Sequence, residues 1–162
     1  ELAVSVMMEA VKNFQDFRTT EGAQLAKDLT DRVINIRNLM TKVEQFESER
    51  IETVRQRMMD RFEELKEKVT LDESRLEAEL MYYVEKFDVT EEKVRLTAHL
   101  KYFEETMAAG GSAGRKLGFI SQEIGREINT LGSKANHAEI QKIVVQMKDE
   151  LEKIKEQVLN VL

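Results

Sequence analysis

No proline interrupts this 162-residue chain, and only 7 glycines are spread along it. Proline removes a backbone donor and glycine loosens the backbone, so both mark turns and element ends. Their scarcity points to long uninterrupted helices. The 35% share of charged residues beside 41% hydrophobic ones is the mixture of such helices. Aromatic residues reach only 6%, which leaves the core to Leu, Ile, Val and Met.

Periodicity divides the chain further. Leu2 to Phe17 reads as a first helix that ends near Thr19-Thr20-Glu21-Gly22. Leu25, Leu29, Val33, Ile36, Met40, Val43 and Phe46 then alternate at spacings of four and three, one apolar seam on one helix face. The seam shifts register at 47–50 and resumes at Ile51, Val54, Met58, Phe62, Leu65 and Val69, which predicts a near-continuous rod. A helix is expected from Asp72 to Phe87, and another, capped by Asp88 or Thr90, buries Leu96, Leu100, Phe103 and Met107. Gly110 to Gly114 is the one flexible loop. The next helix spans Arg115 to Leu131 and is expected to break at Gly132-Ser133-Lys134. Asn136 and Glu139 have capping-box spacing for a last helix, with Ile140, Val144, Met147, Leu151, Ile154, Val158 and Val161 as its heptad. The expected fold is all-α, a long coiled-coil-like helical hairpin (1–70) plus a small C-terminal helical bundle (71–162).

Narrow seams of this kind must pair with each other or with a second chain, so a homo-oligomer is expected. No apolar run approaches the length of a bilayer span, and the opening segment lacks the basic start of a signal peptide. The absence of Cys excludes disulfides and thiolate metal sites, and a cytoplasmic location is expected. The chain starts at Glu1, inside a helix and without an initiator Met, and is read as a fragment. Its net charge of -6 means that any contact with nucleic acid needs a local basic patch or another domain or subunit.

Functional groups are densest from Gly114 to Glu139. On a helical wheel Leu117, Ile120, Ile124, Ile128 and Leu131 face the core, while Lys116, Glu123, Glu127 and Thr130 form one flank. Arg115, Gln122, Arg126 and Asn129 face away. Glu123 and Glu127, one turn apart, can share a hard divalent cation if a third ligand arrives from elsewhere. Arg115 and Arg126 can hold phosphates beside it. The same spacing also describes an ordinary solvated helix face. His99 flanks a buried seam and His137 opens the last helix; two histidines suit acid–base work on a ribose hydroxyl, though flanking histidines more often have no such task. The spacing of Gly110 to Lys116 fails the phosphate-loop pattern, and no strand precedes it.

The run from Gly114 to Asn136, GRKLGFISQEIGREINTLGSKAN, resembles the signature GRKLDFLxQEMNREANTxGSKxN of the YicC/YloC family of bacterial endoribonucleases. Val94-Arg95-Leu96, His99-Leu100 and Phe103 resemble that family's VRLxxHLxxF, and Glu21-Gly22, Leu25 and Asp28-Leu29 its EGxxLxxDL. The likeness is strong over 72–162 and weaker before. It implies a metal-dependent endoribonuclease, a phosphodiester hydrolase that cleaves single-stranded RNA as a homo-oligomer, with an N-terminal domain missing from this chain. It makes candidates of Arg95, Arg115, Lys116, Gln122, Arg126, Asn129, Ser133 and Lys134 for RNA, and of Glu123, Glu127 and Glu139 for Mn²⁺ or Mg²⁺. His99, Glu123 and Glu127 become catalytic candidates, and Glu21 a further site candidate without an assigned role. Gly118, Gly125 and His137 stand where the family usually has Asp, Asn and Asp, which puts an acidic ligand at 118 in doubt. The alternative is a non-catalytic helical oligomerisation or interaction module.

Overall fold

The computed structural model describes residues 2–66 and 73–161, and among them it contains helices and no strand. The order is α1 (Leu2–Lys66), α2 (Glu73–Lys86), α3 (Thr90–Ala108), α4 (Gly114–Ala135) and α5 (Ala138–Val158). Val69 and Asp72, expected to end and start helices, lie outside the described residues. No helix among those described is long and apolar enough to cross a membrane.

Helix α1 is a single rod of about 98 Å at 1.5 Å per residue. The expected end near Thr19-Gly22 does not occur. The Thr19 and Thr20 hydroxyls donate to the carbonyls of Gln15 and Asp16, one turn back. Gly22 meets open space, and one glycine weakens a helix by only about 1 kcal/mol, too little to break a rod this long. The rod also runs on through 47–50, as the register shift without Gly or Pro predicts.

The middle of α1 supplies Leu29, Val33, Ile36, Met40 and Val43 to one core with α3, α4 and α5. From α3 come Leu96, Leu100 and Phe103, and α5 gives its heptad from Ile140 to Val158. This core draws on both 1–70 and 71–162. Beyond it α1 projects at each end. Its later part touches α2 and carries buried Phe62, and residues 2–24 form an arm exposed on all sides.

Two turns fix α4. Gly110 and Gly111 adopt φ of 68° and 77°, a left-handed pair only glycine takes without strain, and reverse the chain after α3. At the other end α4 runs past Gly132-Ser133-Lys134 to Ala135, where a break is expected from sequence. A Cβ on Gly132 would sit 2.9 Å from Val144 Cγ1, so this glycine allows close approach to α5 rather than a turn. The stop comes at Asn136, in the left-handed conformation (φ 39°, ψ 41°). Asn136 is therefore spent on ending α4, and the expected capping box with Glu139 does not form. Extended His137 precedes α5 without a side-chain cap.

Candidate functional site

Helix α4 carries four distinct edges, and its neighbours identify each. Leu117, Ile120, Ile124, Ile128 and Leu131 are buried inward. Gly125 and Gly132 meet Leu151 and Val144, so theirs is the edge against α5. Lys116 lies over the Tyr102 ring at 4.6 Å, and Lys134 Nζ is 2.8 Å from Glu92 Oε1, so the opposite edge lies against α3. Between these two edges runs an outward strip, with Arg115, Phe119, Gln122, Arg126, Asn129 and Ser133 all exposed. From Arg115 to Ser133 it measures about 27 Å.

The strip is cation-rich. Arg115 lies over Phe119 at 5.8 Å, and Arg126 Nη1 is 3.6 Å from Glu123 Oε2, a pair in open solvent where attraction is weak. Arg115, Lys116 and Arg126 thus stand against the one carboxylate of Glu123. Ser133 donates its hydroxyl to the Thr130 carbonyl.

The α3-facing edge continues into a polar seam. Glu92, His99 and Thr106 recur every seven residues on α3, as Lys134, Glu127 and Ile120 do on α4. The Lys134–Glu92 pair joins this edge of α3 to α4, and half-buried His99 lies two turns along α3 from Glu92. Glu127 is 4% exposed, whereas Glu123, one turn away, faces solvent. Glu92 is 3% exposed, and its Oε2, like Thr106 Oγ1, has no hydrogen-bond partner among the described residues.

The remaining candidates lie apart from the strip. Arg95 is exposed on α3 and paired with Glu91. Glu139 pairs with Lys142 at 2.7 Å on the first turn of α5, about 15 Å along the bundle from Glu127 by residue count. The three carboxylates expected to hold a cation are therefore not gathered within one chain. Among the described residues, no group of three or more His, Asp and Glu side chains can hold a metal ion. Glu21 lies on the α1 arm and lines an open groove of about 860 Å³ with Arg18, Arg32, Gly110 and Gly111. Glu92, Tyr102 and Phe119 were not among the sequence candidates. Phe119 carried the one available signal, as an aromatic off the apolar face of its helix.

Residues 43–162 match the family described as endoribonuclease YicC-like, C-terminal. The chain belongs to the YicC-like endoribonuclease family. A protein of Clostridioides difficile (strain 630) called probable endoribonuclease YicC is 36% identical over 99% of this chain and 57% of its own length. A Haemophilus influenzae protein of the same description is 34% identical over 94% of this chain and 52% of its own. The chain spans about half the length of the curated YicC relatives it matches.

In this YicC-like chain the end of α4 meets α1 at one junction. Arg50 of α1 is 5% exposed and donates to the Ala135 carbonyl at 3.4 Å. Burial pulls its pKa below the usual arginine value, against Glu47 and Asp88, which raise it. The Phe46 and His137 rings meet beside it at 5.6 Å, tilted by 33°. The end of α4 is thus clamped to α1. Across the bundle, Glu150 of α5 accepts from Lys153, Asn35 and Arg32 at 2.8, 3.0 and 3.2 Å. Burial alone would raise its pKa, but these donors outweigh burial and hold it at about 2.

Proposed function

We propose that this chain is the RNA-contacting and catalytic portion of an endoribonuclease that hydrolyses phosphodiester bonds in single-stranded RNA. The observation that carries the reading is the outward strip of α4. Six side chains of the Gly114–Asn136 run share one exposed face, although only the apolar ones are needed to build the fold. Arg115, Lys116 and Arg126 hold phosphates, with Gln122, Asn129 and Ser133 as polar contacts along the same track. Arg95 extends the surface onto α3. His99 of α3 and Glu127 of α4 serve as the proton-transfer pair for the ribose hydroxyl and the leaving oxygen, and Glu123 supports them from the exposed flank of α4.

A divalent cation, Mn²⁺ or Mg²⁺, belongs to this proposal with one restriction. Glu123 and Glu127 lie a turn apart, Glu139 does not join them, and one chain offers no complete ligand set. The cation binds there only when RNA phosphate or another subunit completes its shell. The working protein on this reading is a cytoplasmic homo-oligomer that includes an N-terminal domain.

The second reading is a non-catalytic helical oligomerisation or interaction module. It is favoured by the α1 arm, whose Val4, Met7, Val11, Phe14 and Phe17 are all more than half exposed. Cleavage of single-stranded RNA by the intact protein, with Mn²⁺ and with chelator, separates the two. On the first reading Arg115→Gln and Arg126→Gln raise KM, and His99→Ala and Glu127→Ala lower kcat by a hundredfold or more. Full activity in both seam variants leaves only the module reading.

A further inference from the structure

Two aromatic rings, Phe119 on the second turn of α4 and Tyr102 on the neighbouring part of α3, lie outside the hydrophobic core. Phe119 is 56% exposed on the outward strip, while the core at its level is closed by Leu117 and Ile120. Tyr102, on the adjoining edge of α3, is 45% exposed. Single exposed apolar residues are ordinary. Here, however, consecutive residues Arg115 and Lys116 each place a cation over one of the two rings, at 5.8 and 4.6 Å. The Lys116–Tyr102 pair joins two helices. Among the described residues the other such pairs, Arg18 over Phe14 and Lys86 over Tyr82, are lone contacts within one helix.

We infer that Tyr102 and Phe119 form a stacking site for two unpaired nucleobases, with Lys116 and Arg115 on the phosphates between them. This rests on the RNA reading above and goes beyond it, because phosphate-tracking cations require no rings at all. An aromatic face accepts any base, and a flanking guanidinium or ammonium pairs with the adjacent phosphate, the combination that binds single strands without strong sequence preference. A duplex keeps its bases stacked inside and cannot reach the rings. The site therefore selects single-stranded RNA and sets which stretch of the strand enters the strip toward Glu123 and Glu127.

The test uses the intact protein and a uridine dodecamer, beside a dodecamer of the same backbone whose central positions are abasic. Phe119→Leu and Tyr102→Leu keep an apolar side chain of moderate size, and far-ultraviolet circular dichroism verifies the helices. Each variant is expected to bind the base-bearing strand roughly tenfold more weakly and the abasic strand as the wild type does. A 2-aminopurine at a central position is expected to be quenched by the wild type and less so by Phe119→Leu. Equal losses on both strands, or no loss on either, overturn the stacking site. If Arg115→Gln with Arg126→Gln weakens binding while both leucine variants bind normally, stacking fails and the RNA surface stands. If the wild type binds neither strand, both readings fall. A protein partner seated on these rings gives that last result.

Discussion

Lys134 illustrates how a single contact redirects a residue. Its ammonium, expected on RNA, lies 2.8 Å from a carboxylate that is almost fully buried. Removing the cation strands Glu92 in the core, where an uncompensated charge is costly. Lys134→Ala is expected to lose about 3 kcal/mol in urea unfolding, and Lys134→Ala with Glu92→Leu to recover most of it. A loss in the single variant below the error of the measurement would show that the pair carries no stability. Glu150 gives a pH signature. Its folded pKa of about 2 lies below the ordinary 4.5, so the folded state favours the ionised carboxylate. The stabilisation is fully present above pH 4.5 and drains as pH falls from there toward 2. Unfolding curves of Glu150→Gln should lack that acid-side decline and show a constant deficit near neutrality. Neither partner set was legible in the sequence, because Glu92 to Lys134 and Arg32 to Glu150 join residues far apart along the chain.

At the scale of elements, helix existence and apolar faces followed directly from spacing, while two expected ends failed for opposite reasons. At Gly22 the rod was long enough to carry a weak residue. At Gly132 the missing side chain serves the α4–α5 contact. That difference predicts a contrast. Gly132→Ala forces a methyl against Val144 and should lower stability by about 1–3 kcal/mol. Gly118, whose Cβ would sit 4.0 Å from Val158 Cγ1, has room, so Gly118→Ala should raise stability by up to about 1 kcal/mol. Thermal melts of the two variants decide it, and shifts of the same sign would contradict the packing account. Gly125 lies between them, with Leu151 at 3.1 Å.

Across the whole molecule, charge and shape act together. The net charge of -6 opposes RNA at long range, so the proposed RNA contact has to be carried by the α4 strip. With Arg115, Lys116 and Arg126 on phosphates, the log of affinity should fall with the log of salt at a slope of about -2 for single strands. A slope near zero in titrations from low to high salt would remove the phosphate contacts from the account. The sequence alone determined that the chain is helical, which side chains of α3, α4, α5 and the middle of α1 turn inward, and which polar residues of the Gly114–Asn136 run turn out, whereas Ile51 of the expected later seam is 43% exposed. These are short-range properties, set by a repeat of 3.6 residues and by the absence of proline. Only the tertiary structure decided that Glu139 stands apart from Glu123 and Glu127, that Lys134 is tied to Glu92, and that Tyr102 meets Lys116. Such pairings depend on the register between helices, and register comes from how buried side chains interlock across the core.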